Sequence, residues 1–196
     1  MILQEIAPGV YVETRFRRIN VGAVLTDEGF VLIDVPPYPD DARAWRALLA
    51  QASNKPILAI VTTDLHRDRM LGNCWFDTPL IVAHDETIAH VKSLPSTFVD
   101  TAFDSLGGGS IERSWFLGAQ VRIPSIGFTH RMQLRFGRTA IPVLAMPGPT
   151  GGSLWVHLPE QRILFAGDSV IFDQHPYVSG PYTKNWLENL TILRRA

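Results

Sequence analysis

The chain has 196 residues, of which 46% are hydrophobic and 19% are charged, and its formal net charge is −1. This composition is sufficient for a buried core, so we predict a single domain over residues 1–196, and the near-neutral charge argues against partnership with nucleic acid or an anionic membrane. The single cysteine excludes an internal disulfide, and neither a secretory signal nor a run of roughly 20 apolar residues is present, so we expect a cytoplasmic protein.

The first part of the chain consists of short β-branched runs interrupted by one amphipathic segment. The apolar runs predict strands at residues 10–12, 21–25, 30–34 and 57–61. Between the last two runs, apolar side chains recur at helical spacing at positions 45, 48, 49 and 52, which predicts a helix. A strand, a crossover helix and a second strand are typical of an α/β layer.

The second part of the chain repeats this alternation less regularly. It predicts strands at residues 80–83, 132–136, 140–144, 153–156 and 163–165, and helices at 85–92 and 183–195. The triplet Gly107-Gly108-Gly109 lacks the lysine and the preceding strand of a phosphate-binding loop, so we interpret it as a plain turn. The whole pattern predicts an α/β fold in which two sheets pack together with helices outside.

The segment directly after the predicted strand 57–61 carries the most chemistry. Asp64, His66, Asp68 and Arg69 follow one another within six residues. A buried strand that ends in carboxylates and an imidazole places metal-capable groups at the edge of a sheet. Their repulsion and desolvation must be offset, and either a metal ion or an arginine can do so.

Four segments of the chain resemble the motifs of one family. Asp34 ends a strand, residues 63–73 form the polar segment described above, residues 147–153 read Pro-Gly-Pro-Thr-Gly-Gly-Ser, and Asp168 follows the strand 163–165. In this order they resemble the metallo-β-lactamase superfamily. The resemblance implies an αβ/βα sandwich of two mixed β-sheets with flanking helices and a dinuclear metal site between the sheet edges.

The resemblance also shows where this chain departs from the family pattern. Of seven usual ligand positions, three keep their residue: His66, Asp68 and Asp168. Histidine is replaced at three others: by Asp64, Arg69 and Pro149, the last a lost ligand position. The seventh ligand, a late histidine, has no counterpart, because the chain stops after the helix 183–195, and we expect the last strand of one sheet to be absent.

Two interpretations of this site follow from the resemblance. In one, Asp64, His66 and Asp168 hold a single Mn, Fe or Zn ion, and Asp68 orients or deprotonates a bound water that attacks an ester, thioester, lactam or amide. In the other, no metal binds, Arg69 forks between the carboxylates, and the protein has a non-catalytic binding or assembly role. Asp34 supports the site from outside in both.

The sequence says less about partners. The small-molecule ligand or substrate is not identifiable, and we expect no nucleic-acid or membrane partner. An unpaired edge where the last strand is missing predicts a homodimer. His175, seven residues after Asp168, is most simply a histidine of a surface loop.

Overall fold

The computed structural model describes residues 2–105, 114–116, 118–178 and 180–195, so the turn predicted at Gly107-Gly108-Gly109 lies outside the described residues. The strands are β1 (Gln4–Ala7), β2 (Val10–Glu13), β3 (Val21–Leu25), β4 (Phe30–Ile33), β5 (Ile57–Val61), β6 (Leu80–His84), β7 (Ile126–Phe128), β8 (Arg131–Phe136), β9 (Thr139–Ala145), β10 (Leu154–Leu158) and β11 (Ile163–Phe165). The helices are α1 (Pro39–Ala52), α2 (Arg67–Leu71), α3 (Asp85–Ser93), α4 (Phe98–Ser105) and α5 (Thr183–Arg195).

The two sheets confirm the predicted fold class, with one difference in detail. Strands β1 to β7 form a seven-stranded sheet in chain order, antiparallel from β1 to β4 and parallel from β4 to β7. The second sheet has the order β11-β10-β9-β8 and is antiparallel throughout the described residues. The prediction of two mixed sheets is therefore wrong for the second sheet, since hairpins connect all four of its strands and hairpins produce antiparallel pairs.

Alternating side chains of the central strands divide the core between two layers. Val31 and Ile33 of β4 face the second sheet, where they pack with residues of β9 and β10 such as Val143 and Val156. The intervening residue Leu32 faces α1 on the other side of the seven-stranded sheet. A strand that is buried on both faces has no polar alternation, which is why the run 30–33 is continuously apolar.

One glycine allows the two sheets to approach closely. A Cβ atom added to Gly22 of β3 would lie 2.3 Å from the Cε1 atom of Phe165, at the end of β11. The ring therefore occupies the space that any other side chain at position 22 would need. The absence of a side chain at Gly22 lets the end of β11 approach β3 of the larger sheet.

Elements without a clear periodic pattern escaped the sequence-based prediction. Strand β1 is largely exposed, α2 has five residues, and β7 has three. Polar residues or a glycine interrupt the apolar positions in these segments, whereas the equally short β11 is uniformly apolar. No helix in the described parts of the chain combines the length and apolar character needed to cross a bilayer.

Candidate functional site

The candidate site lies where the edges of the two sheets meet. Asp34 and Asp64 follow the ends of β4 and β5, which are parallel neighbours, so the chain leaves both strands at the same edge. Asp168 follows β11 of the second sheet. The backbone N–H of Leu154 donates to the carbonyl of Thr63 at 2.8 Å and ties the start of β10 to the end of β5. This connection brings the polar ends of both sheets to one place.

Asp34 is held in a sharp turn beneath the site. Its φ is +54°, in the left-handed region that aspartate tolerates better than most residues. Its carboxylate accepts hydrogen bonds from the backbone N–H of Thr63 at 2.9 Å and from the Thr63 hydroxyl at 2.6 Å. Burial raises the pKa of Asp34 to about 6, although the charge of Arg69 and these hydrogen bonds oppose the rise.

Asp64 is fully buried, and its oxygens are already engaged. Oδ1 accepts from the backbone N–H of His66 at 2.9 Å, and Oδ2 accepts from the hydroxyls of Ser153 at 2.9 Å and Thr150 at 3.2 Å. Burial raises the pKa of this carboxyl, and the charge of His66 partly offsets the rise. Asp64 thus links the end of β5 to the loop between β9 and β10.

His66 joins the carboxylates of the two sheets. Its Nδ1 lies 3.0 Å from both Asp64 Oδ1 and Asp168 Oδ2. Burial by itself would lower the pKa of His66, but the hydrogen bond with Asp168 and the charge of Asp64 raise it overall. Nε2 is buried and has no hydrogen-bond partner among the described residues. The ring packs edge-on against Tyr177, with centroids 5.6 Å apart.

Arg69 places a buried guanidinium among three carboxylates. Nη2 donates to Asp168, Nε lies 3.4 Å from Asp34, and Nη1 lies 3.7 Å from Asp68. The residue is 6% exposed. Burial opposes its positive charge, yet the surrounding carboxylates raise its pKa, with Asp34 the largest contributor and Asp64 also acting. The guanidinium therefore stays charged at all physiological pH values and can offset part of the negative charge of the site.

Asp168 is fixed by its own backbone and by the last helix. It lies in the 3-10 turn Gly167–Ser169, where Gly167 has φ +53° and a Cβ there would lie 2.7 Å from the Thr63 hydroxyl. The indole N–H of Trp186 in α5 donates to the carbonyl of Ser169 at 2.9 Å. Burial would raise the pKa of Asp168, but its contacts with His66 and Arg69 outweigh burial and lower it.

The residues present do not fit the divalent ion that the fold family implies. Within the described ranges, no three His, Cys, Asp or Glu side chains are arranged to hold one metal ion. The carboxylate oxygens of Asp64 already accept three hydrogen bonds, and Nδ1 of His66 faces two carboxylates. Pro149 offers no side-chain donor atom, and Arg69 brings a fixed positive charge. This donor set favours a guanidinium over a metal ion as the counter-charge.

The structure gathers the predicted site residues into one cluster, made up of Asp34, Asp64, His66, Asp68, Arg69 and Asp168. Pro149 is buried in the adjoining loop, next to Thr150, which contacts Asp64. The metal-binding roles of Asp64, His66 and Asp168, the catalytic role of Asp68 and the supporting roles of Asp34 and Arg69 stay predictions. His175 is exposed, as expected of a surface loop residue.

Sequence reasoning missed four contributors to this cluster: Thr63, Thr150, Ser153 and Tyr177. The first three lie inside or beside the quoted motifs, so a search for hydroxyl partners of the buried carboxylates would have found them. Tyr177 lies in an exposed loop with no periodic pattern, and nothing in the sequence signals its contact with His66.

Comparison with known proteins agrees with the two-sheet fold described above. The family model described as "Metallo-beta-lactamase superfamily" matches residues 14–196. The chain belongs to this superfamily. It is 30% identical over 156 residues to an acyl-coenzyme A thioesterase, MBLAC2, of Bos taurus, and 29% identical to the Homo sapiens protein of the same name. These matches cover 76% of this chain and 54% of each relative, so the chain spans about half the length of the curated relatives it matches.

Two solved structures share the fold. The metallo-beta-lactamase IND-7 matches with a TM-score of 0.70 at 16% identity, covering 99% of this chain and 84% of that one. The sec-alkylsulfatase Pisa1 from Pseudomonas sp. matches with a TM-score of 0.75 at 16% identity, covering 99% of this chain and 36% of that one. At this identity the likeness concerns the fold.

Proposed function

We propose that this superfamily member works without a metal ion and has a non-catalytic binding or assembly role. The observation that carries the proposal is the buried guanidinium of Arg69, which lies within 4 Å of carboxylate oxygens of Asp34, Asp68 and Asp168. A fixed cation in that position supplies the counter-charge that a metal would otherwise supply.

The charge balance of the cluster supports this proposal. Four carboxylates, of Asp34, Asp64, Asp68 and Asp168, face the guanidinium of Arg69 and the imidazole of His66. The pKa of His66 is raised despite its burial, because its ring forms a hydrogen bond with Asp168. Burial raises the pKa of Asp34 and Asp64, so the ionised form of each carboxyl depends on a nearby counter-charge. A divalent ion placed beside Arg69 would meet a repulsion of several kcal/mol at contact distances in a partly buried site.

A role in assembly involves the edge of the smaller sheet. Strand β11 is the outermost strand of that sheet on one side, within the described residues. An outer strand exposes backbone groups that a second copy can pair with. We therefore propose a homodimer through β11, which light scattering tests. A monomer at concentrations of tens of micromolar would contradict it.

The second candidate is a weak hydrolase with one divalent ion, acting on an ester, thioester, lactam or amide. The likeness to the acyl-coenzyme A thioesterases favours it, and so does the buried Nε2 of His66, which lacks a described partner and is free to bind a ligand. This function requires Asp64 and Asp168 to exchange their present hydrogen bonds for bonds to the ion.

Metal retention separates the two candidates. The protein is incubated with Mn²⁺ or Zn²⁺, freed of excess ion by gel filtration and examined by plasma mass spectrometry, and thioester hydrolysis is assayed on the same samples. We expect the parent to retain well under one equivalent and to show no hydrolysis. The variants His66→Ala and His130→Ala serve as test and control, since His130 is exposed. About one equivalent in the parent and in His130→Ala, lost in His66→Ala together with hydrolysis, would support the hydrolase instead.

A further inference from the structure

A concave surface lies outside the carboxylate cluster. It is a cleft of about 280 Å³, lined by Pro39, Arg43, Arg46 and Trp75. Among the described residues that line it, none is acidic. This volume is close to the lower end of small-molecule sites in proteins, which usually combine an apolar or aromatic wall with a few convergent polar groups.

Helix α1 forms one wall of the cleft, because three of its residues that line the cleft are spaced so that they share one face of the helix. Pro39, Arg43 and Arg46 are four and three residues apart and therefore lie on one face of the helix. The adjoining face, including Trp45 and Leu49, is buried against the seven-stranded sheet. The packing of that apolar face fixes the direction in which the two arginines project.

Trp75 supplies the other wall and is held rigidly. Its indole N–H donates to the carbonyl of Pro37 at 2.8 Å, and its ring packs edge-on against Phe116 with centroids 5.7 Å apart. Arg46 donates to the backbone carbonyl of Trp75, and its guanidinium carbon lies 5.4 Å from the centre of the Phe76 ring. A guanidinium tied to the same residue as the aromatic wall is preorganised beside it.

The positive charge of the cleft is not neutralised by the acidic residues nearest to it on α1. Asp40 and Asp41, in the first turn, both pair with Arg17, and Arg17 Nε lies 2.9 Å from Asp41. Among the described residues, neither Arg43 nor Arg46 lies within ion-pair distance of a carboxylate. The chain as a whole carries a net charge of −1, so any attraction for an anion here is local.

We propose that this cleft binds a phosphorylated small molecule with a planar ring, of the nucleoside phosphate class. The phosphates accept hydrogen bonds from Arg43 and Arg46, whose forked donors match phosphate oxygens, and the ring packs against Trp75. The cleft shares no lining residue with the carboxylate cluster, so this proposal does not depend on whether that cluster binds metal.

Isothermal titration calorimetry with three probes tests the proposal: ADP, adenosine and pyrophosphate. We expect saturable binding of ADP, with adenosine and pyrophosphate each binding at least about tenfold more weakly, because each lacks one half of the recognised chemistry. The double variant Arg43→Gln, Arg46→Gln should weaken ADP binding about tenfold or more. Circular dichroism verifies that the variant is folded.

Arg135→Gln is the matched control, since Arg135 is an exposed arginine on β8, away from α1. It should leave ADP affinity unchanged. Absence of saturable ADP binding to the parent would overturn the proposal. So would equal ADP affinity in the parent and the folded double variant, or an equal loss in Arg135→Gln, which would indicate nonspecific attraction. Adenosine binding as tightly as ADP would overturn the role of the arginines.

Discussion

Replacing Arg69 with methionine removes the guanidinium from the carboxylate cluster while keeping an unbranched side chain that can fill much of the same space. Asp34, Asp68 and Asp168 then lose a cation within 4 Å, and Asp34 is 3% exposed. Removing one partner of a buried ion pair costs about 3–5 kcal/mol. A domain of this size is stable by roughly 5–15 kcal/mol, so we expect a large loss of unfolding free energy at pH 7.5.

The loss should depend on pH in a defined direction. Without Arg69, the pKa of Asp34 in the folded state should rise further above its unfolded value near ~4. A group whose folded pKa is raised stabilises the fold at low pH and loses that contribution as pH rises through the folded pKa. The deficit of Arg69→Met relative to the parent should therefore be larger at pH 7.5 than at pH 5.5.

Urea unfolding followed by tryptophan fluorescence measures the loss of unfolding free energy and its dependence on pH, since Trp45, Trp155 and Trp186 are buried. Arg138→Met is the matched control. Arg138 pairs with Asp27 at 3.0 Å but its side chain is 92% exposed, so the change should cost much less stability than Arg69→Met. A cost of less than about 1 kcal/mol for Arg69→Met at pH 7.5, or an equal deficit at both pH values, would refute the role assigned to the guanidinium.

Three further changes test other parts of the structure. The pKa of Asp34, raised to about 6, implies about 3 kcal/mol of stability that is present below pH ~4 and lost as pH rises through about 6. Asp34→Asn should therefore flatten the pH dependence of the unfolding free energy in urea, and an unchanged pH profile would contradict the raised pKa of Asp34. The double variant Arg69→His, Pro149→His replaces the fixed cation with two metal-binding side chains. It should retain Zn²⁺, as measured by plasma mass spectrometry, and should melt at a higher temperature when Zn²⁺ is present. If it neither retains Zn²⁺ nor melts at a higher temperature, the charge of Arg69 is not what excludes the metal. Gly22→Ala should cost about 1–3 kcal/mol by overlap with the Phe165 ring, and Phe165→Leu in the same chain should recover part of that loss in a thermal melt.

The local pattern of apolar residues was sufficient to predict many of the strands and helices. The runs 21–25, 57–61 and 163–165 and the helix 183–195 have the bounds expected from composition and period. Long or uniformly apolar segments carry enough positions to show which face is buried, and their order along the chain limits the topology. Asp64 was recognisable as a polar residue directly after such a strand, whereas Asp168 was identified through the resemblance to the family motif.

The balance of charges at the site depended on the tertiary structure. In sequence, Arg69 and Asp168 are 99 residues apart, and no periodicity indicates that they form an ion pair. The pairing of β4 with β5 and the packing of the second sheet bring Asp34, Arg69 and Asp168 together. Whether a carboxylate meets a metal, a guanidinium or a hydroxyl depends on distances of a few ångströms across the two sheets, because electrostatic and hydrogen-bond energies vary steeply over that range.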